Sequence, residues 1–286
     1  MAATDTSPSP SKGTQPRTGD PTIAALLTWL VPGAGHVYLG RVPFAIAAFV
    51  VVEGLYVLGI VLSKGMLFEY LPPEMRSRFA PALAPEAGNL GGILYHVRTY
   101  GYGYGFPRPW PAQMDLGTTL TAASGLLNML LMSRAHFDAR VVERQPGKPI
   151  GPALAAGANL ILPGLGQILQ GRRVRGLVIM VCLLSLFALA CLISDGANLD
   201  RERHFYYWAG QFLLGLPAML AEFVNGHPLM TEMPELVDGG IVLGSVAGML
   251  NILTMLDAYG YSEALHLGED PPGSKDEATT QKGVHA

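Results

Sequence analysis

A ten-residue stretch that occurs twice constrains this chain more than any other feature. Pro32-Gly33-Ala34-Gly35-His36-Val37-Tyr38-Leu39-Gly40-Arg41 returns as Pro163-Gly164-Leu165-Gly166-Gln167-Ile168-Leu169-Gln170-Gly171-Arg172, with five of the ten positions identical. Each copy follows an apolar run and precedes a longer one. A second match confirms the duplication: residues 115–132 (DLGTTLTAASGLLNMLLM) align without gaps to 238–255 (DGGIVLGSVAGMLNILTM), with 8 identities in 18. Self-similarity of this kind means two like units built on one plan, here residues 21–145 and 146–265.

The runs beside the motif fix the solvent. Val42 to Leu62 contains a single residue of the Asp, Glu, Lys and Arg set, Glu53, and Val174 to Ser194 contains none after Arg175. Each is 21 residues long, enough for a hydrocarbon core that needs about 20. Charged residues are 14% of the chain, where a soluble domain has about 25%, and the mean hydropathy is +0.31. The fold class expected is therefore an all-α, polytopic helical membrane protein of two tandem pseudo-symmetric halves. A net charge of −3, with no basic domain, gives no nucleic-acid footprint. Cys182 and Cys191 lie nine residues apart in one helix, roughly 13 Å along its axis, too far for a disulfide. No CxxC or HExxH motif is present, so no metal or cofactor is expected.

Along the chain, residues 1–20 are rich in Ser, Thr and Pro and read as a disordered tail rather than a signal peptide; residues 266–286 read as a second tail. Thr22 to Leu39 is apolar but broken at Pro32–Gly35, because proline removes a helical hydrogen bond and glycine permits a reversal. Such a segment either kinks across the bilayer or enters and leaves on one side, where its irregular backbone must be packed by protein. Residues 63–114 read as a long outer loop holding a tyrosine–glycine tract, 95–106, suited to the headgroup region. Asp115 reads as the N-cap of a helix through Ser133, followed by a basic loop to Lys148. The second half repeats the plan: a broken segment (151–170), Arg172-Arg173-Arg175, a span, a short segment (208–223) interrupted by Pro217, and a last span from Asp238 to Leu256.

Loop charge favours re-entry. If the broken segments reverse within the membrane, Arg41, the Arg134–Lys148 loop, the Arg172–Arg175 cluster and both termini share one face, which satisfies the positive-inside rule. The expectation is four full spans, two re-entrant or strongly kinked segments and one or two interfacial pieces, in a bacterial cytoplasmic membrane with both termini cytoplasmic.

The first copy, from Gly35 to Arg41, resembles the motif of the TM-two (two-transmembrane) domain, in which a helix ends in glycines and a G-x-H-x-F-Y-x-G-R-like turn precedes a second helix. Tyr38 fits the aromatic slot and Arg41 the basic one. The second copy departs, with Gln167 for the histidine and Leu169 for the tyrosine. The doubled motif, with Gly-Leu-Leu-Asn at 125–128 and Gly-Met-Leu-Asn at 248–251, is similar to an uncharacterised bacterial membrane-protein family over roughly residues 20–260. That resemblance implies an integral membrane protein and carries no activity with it.

Several positions are candidates for function. Gly240, Gly244 and Gly248 recur every four residues, as do Gly117, Thr121 and Gly125, a spacing that lets membrane helices approach closely. The expected use is a structural seam between the two halves, with Asn128 and Asn251 near it. The other use is an Asn-lined site on the symmetry axis, as in repeat-built transporters. Asp257 aligns with Arg134 at the offset that aligns Asn251 with Asn128, so a paired seam predicts an Arg134–Asp257 ion pair. Glu53 is residue 12 of its 21-residue span; an intramembrane carboxylate costs a few kcal/mol and points to proton or ion chemistry, or else to a protonated, hydrogen-bonded side chain. His36, Tyr38, Arg41 and Arg172 cluster at the turns, where basic residues meet headgroups for topology alone or bind a phosphate or acidic partner. The PGxG pattern lacks the G-x-x-x-x-G-K-[ST] run of a nucleotide loop.

These features predict a non-enzymatic membrane scaffold or assembly component. Its partners are the lipid bilayer and either another membrane protein or a second copy, with no nucleic acid. The alternative is a small transporter or channel using Glu53 and the Asn128/Asn251 pair. No catalytic constellation falls on the predicted helices, so no enzyme is expected.

Overall fold

The computed structural model describes residues 19–66, 88–91, 94, 98, 109–141, 150–226 and 234–271. The tyrosine–glycine tract apart from Arg98, residues 142–149, and residues 1–18 and 272–286 of the tails lie outside them. Among the described residues the fold is all-α. Its first half contains α1 (Pro21–Leu30), α2 (Ala34–Tyr38), α3 (Val42–Leu62) and α4 (Met114–Arg140). The second contains α5 (Pro152–Ile161), α6 (Leu165–Leu169), α7 (Arg173–Ile193), α8 (Phe205–Phe212), α9 (Leu216–Asn225) and α10 (Val237–Leu267). Four helices, α3, α4, α7 and α10, are long and apolar enough to cross a membrane.

The broken segments fold as helical hairpins. Asp20 caps α1 by accepting from the Ile23 amide, and Pro21 opens the first turn. Val31 is extended before Pro32, as a residue preceding proline prefers. Gly33 then turns at φ 84°, and Gly164 does the same at φ 84° in the second half, a conformation open to glycine. The chain doubles back so tightly that a Cβ on Gly35 would overlap the Ala24 carbonyl oxygen, and one on Gly166 that of Ala155. Ten residues of α1 rise about 15 Å, half of a hydrocarbon core of about 30 Å.

Both hairpins close on themselves. The Asp20 amide, before α1, donates to the Tyr38 hydroxyl, at the end of α2, over 3.1 Å. In the second half Ser262 receives both ends: its hydroxyl donates to Ile150 O at 2.9 Å and accepts from Gln170 Nε2 at 2.9 Å. Each segment therefore leaves on the side where it entered, and of the two geometries open to the sequence the structure adopts the hairpin.

Beyond each hairpin a span crosses to a second repeated turn that the sequence comparison missed. Ser63-Lys64-Gly65 and Ser194-Asp195-Gly196 match in conformation, with φ of 49° and 73° against 51° and 77° at the last two positions. The serines donate to Gly59 O and Ala190 O, one turn back. Just before these turns the returning helices cross closely: Gly117 lies against Gly59 and Ser63, and Gly240 against Ala190 and Ser194.

Polarity is inverted relative to a soluble protein. Val50, Val57 and Val61 on α3 and Val174, Val181 and Leu192 on α7 are exposed, while Thr28, His36, Asn128, Asn159, Gln167 and Asn251 are fully buried. A bilayer supplies the apolar contact that the outer surface lacks. The halves meet through an apolar cluster in which Met114, Ala122 and Leu126 of α4 pack with Phe205, Trp208, Ala209 and Phe212 of α8.

Three sequence boundaries need correction. Gln113, not Asp115, is the N-cap of α4, and Asp115 lies in the first turn, where its charge complements the helix dipole. Both last spans run on past the expected ends, to Arg140 and Leu267, because the polar residues there pair with the hairpins instead of forming loops. The stretch 63–114 is not wholly an outer loop. Gly88 packs against Gly125, where a Cβ would collide with backbone, and Asn89 is fully buried.

Candidate functional site

The two intramembrane asparagines do not approach one another as a shared site. Each binds its own half together. Asn128 Nδ2 donates to Thr28 O at 3.1 Å and to Gly88 O at 2.7 Å. Asn251 Nδ2 donates to Asn159 O at 3.0 Å, Leu213 O at 3.0 Å and Leu214 O at 3.4 Å. Thr28 and Asn159 are separated by 131 residues, as are Pro32 and Pro163, so the contacts are equivalents. All these carbonyls sit where helices break, and helix breaks leave backbone acceptors without partners. The asparagine of the following span supplies the donors that lipid does not.

Thr28 and Asn159 also hold the turn itself. The Gly35 amide donates to Thr28 Oγ1 at 3.2 Å. In the second half the Gly164 and Gly166 amides donate to Asn159 Oδ1 at 2.8 and 3.3 Å. Neither residue stands out in the sequence, because a single Thr and Asn in apolar runs carry no pattern.

At the face where the hairpins open, each half builds a cluster of two arginines, one aspartate and one aromatic ring. In the first half Asp138, nearly buried, pairs with Arg41 from the turn and with Arg134 Nε at 3.5 Å; Arg134 lies over the Phe44 ring, 4.3 Å from its centroid. In the second half Asp257 receives Arg172 at 2.9 Å and Arg175 at 2.6 Å, and Arg172 lies 4.3 Å over Tyr261. Arg41 and Arg172 correspond, but the other members are permuted: Phe44 corresponds to Arg175, Arg134 to Asp257 and Asp138 to Tyr261. The same chemical set is kept while its positions on the two helices are exchanged. Asp138 and Arg175 were missed as partners because this exchange erases identity in an alignment of the halves.

That exchange overturns the expected Arg134–Asp257 pair. Both residues are engaged inside their own halves, Arg134 with Asp138 and Asp257 with Arg172 and Arg175. A pair that does join the halves lies farther along, where Arg140 meets Glu263 at 2.5 Å. Arg140 and Glu263 are also separated by 123 residues, so they occupy equivalent positions of the two halves, a pair that the sequence reading did not name. Beside them the Tyr259 hydroxyl donates to Ser133 O at 3.1 Å.

The glycine seam also lies within the halves. Gly117 and Gly125 pack on α3 and Gly88; Gly240, Gly244 and Gly248 pack on Ser194, Gln211 and Gly210. Small residues let α4 and α10 approach their own half's elements, not each other. Thr121 is fully buried in the same stripe.

Glu53 accepts a hydrogen bond from Asn89 Nδ2 at 3.1 Å. It is half-buried on α3, and its partner belongs to the segment that the sequence placed outside the membrane. Tyr38 is exposed apart from its bond to Asp20.

At the opposite face a buried arginine links the halves. Arg201 is 1% exposed, pairs with Glu222, and donates to Asp115 O and to Thr119 Oγ1, each at 3.0 Å. Its guanidinium stacks 4.1 Å over Trp208, whose indole donates to Glu222 Oε2 at 3.0 Å. The sequence shows Arg201 only as one charge in a mixed loop. Among the described residues no group of three His, Cys, Asp or Glu is placed to hold a metal ion.

Comparison with known proteins fits this description. The chain belongs to a family of unknown function, DUF6677, whose profile matches residues 23–146 and 154–271, dividing the chain as the duplication does. No curated protein and no solved structure matches it.

Proposed function

We propose that this protein is a non-enzymatic scaffold or assembly component of a bacterial cytoplasmic membrane, with both termini in the cytoplasm. One observation carries the reading: the conspicuous intramembrane polar groups, Asn128 and Asn251, are spent on backbone carbonyls of their own halves. A transport path needs polar groups that meet a solute, and these meet the fold. Orientation is supported by Arg41, Arg134, Arg140, Arg172, Arg173 and Arg175, which gather at the face where both hairpins open. The partner is another membrane protein or a second copy, received by the lipid-facing surfaces of the spans.

The test is mild-detergent extraction from native membranes with mass spectrometry of the co-eluting proteins. A membrane protein recovered in fixed stoichiometry, or a discrete homo-oligomer, supports the scaffold. A monomer that moves a solute in liposomes refutes it.

One observation favours the second reading, a small transporter. Glu53 is a half-buried carboxylate in mid-span with no equivalent in the second half, where Leu184 stands. Glu53→Gln keeps the bond from Asn89 and removes the titratable group. A scaffold keeps its assembly in this variant, whereas a proton-coupled carrier loses flux.

A further inference from the structure

The outer side of α3 carries a heptad pattern. Ile46, Val50, Glu53, Val57 and Ile60 recur at alternating intervals of four and three residues, the spacing that lines side chains along the seam of two paired helices. Val50 and Val57 are 62% and 56% exposed, and Ile46 is exposed with them. Val52, Tyr56 and Gly59, on the opposite side, are buried in the chain's own half. Gly54 borders the seam, and a Cβ added to it would meet open space. Contact with lipid accounts for the valines. It does not account for a carboxyl in their midst, at residue 12 of a 21-residue span.

The chain itself serves only part of Glu53. One carboxyl oxygen accepts from Asn89 Nδ2 at 3.1 Å, and among the described residues the carboxyl makes no other bond. In its acid form the group has an O–H to donate as well as oxygens that accept. The Asn89 amide satisfies an acceptor and leaves that donor open, and hydrocarbon offers nothing to receive it. A second copy of α3 does. Copies inserted in one orientation meet as parallel helices, and a two-fold axis along the bilayer normal sets Glu53 against Glu53. Each O–H then donates to the other's carbonyl oxygen, so the group is its own complement. β-Branched residues at one seam position, here Val50 and Val57, favour two strands, and a single polar residue in a seam fixes its register. Gly54 beside it lets the backbones approach. In the second half Leu184 and Ala188 stand in place of Glu53 and Val57, so α7 presents no such group.

We propose that the protein pairs with a second copy of itself through α3, as a parallel dimer in which the two Glu53 side chains hydrogen-bond to each other across the axis. This rests on the scaffold reading and names its partner.

The test uses the full chain with Cys182 and Cys191 replaced by alanine. In native membranes, copper phenanthroline should join Val50→Cys, and separately Val57→Cys, into disulfide-linked dimers, because facing seam positions lie within disulfide reach. Val181→Cys, the equivalent of Val50 on α7, should stay monomeric. In liposomes, energy transfer between labelled copies on lipid dilution gives the dissociation constant. Glu53→Leu should raise it at least about tenfold, the scale of two hydrogen bonds between membrane helices. Glu53→Gln should change it less than about twofold, since an amide also both donates and accepts. Should Glu53→Leu fail to fold, Gly54→Leu decides. It keeps Glu53, meets open space in its own chain, and should raise the constant at least about tenfold by holding the backbones apart.

Absence of both crosslinks, or a dimer that tolerates Gly54→Leu, overturns the proposal, and so does a loss in Glu53→Gln equal to that in Glu53→Leu. A dimer joined at Val181→Cys instead, or a different membrane protein recovered in fixed stoichiometry, overturns pairing through α3 and leaves the scaffold reading standing. A monomer that moves a solute overturns both.

Discussion

Replacing Asn251 with leucine removes the donors that join three elements of the second half while keeping the side chain's bulk. Asn159 and Leu213 lie at the ends of α5 and α8, where carbonyls have no partner within the helix, and both accept from Asn251 Nδ2 at 3.0 Å. A hydrogen bond between membrane helices contributes on average only about 0.6 kcal/mol, because the unfolded state in lipid also finds partners. Here the carbonyls are held at a break in a packed interior, and each is left unsatisfied at a cost of about 1–3 kcal/mol. Two of them place the expected destabilisation at about 2–6 kcal/mol, or about 4–24 °C in melting temperature for a chain of this size. The assay is thermal unfolding in detergent and in nanodiscs, with Asn251→Asp as an isosteric control that loses the same donor. Asn128→Leu should lose a comparable amount, and the double variant should lose the sum, since the sites share no partner. Unfolding within about 1 kcal/mol of wild type for Asn251→Leu would refute the claim that these asparagines hold the broken segments.

Three further outcomes follow from the same geometry. Arg201→Leu leaves Glu222 buried and unpaired and should cost about 3–5 kcal/mol, measured by chemical unfolding, while Arg201→Met with Glu222→Met should recover most of it. Arg140→Glu alone should lower stability by no more than about 1 kcal/mol, since the pair is partly exposed, and adding Glu263→Arg should restore it; the exchange of Arg134 with Asp257 should not. Gly35→Ala and Gly166→Ala should abolish the monodisperse species in size-exclusion chromatography, because the added methyl meets a carbonyl oxygen of the facing helix.

The duplication, the four spans and the site of each break were legible because each rests on a pattern that lipid enforces: apolar length, Pro-Gly punctuation and repeated glycine. The choice of hairpin over kink needed only the face on which Arg41 and Arg172 lie. Partner choice was not legible. Asn128 and Asn251 look like a pair in an alignment because duplication copies each half's internal contacts, and an internal contact copied twice is indistinguishable from one contact across an axis. Arg134 and Asp257 failed for the opposite reason, since the exchanged cluster positions put unlike charges at aligned places without bringing them together. Arg201 and Asn89 were hidden in segments whose polarity reads as solvent-exposed, yet their depth is set by partners on neighbouring helices, Trp208 and Glu222 for Arg201 and Glu53 for Asn89.

The account rests on two halves of like orientation, each with a broken segment that returns to the face it came from. The most direct measurement is impermeant-maleimide labelling of single cysteines, in a chain with Cys182 and Cys191 replaced by alanine, at two equivalent pairs of exposed positions: Val42 with Arg173, and Gln113 with Leu236. The account predicts that Val42→Cys and Arg173→Cys label only after the cytoplasmic face is opened, while Gln113→Cys and Leu236→Cys label in intact cells. Opposite sidedness within either pair would contradict it, because the halves would then be inverted or a broken segment would cross.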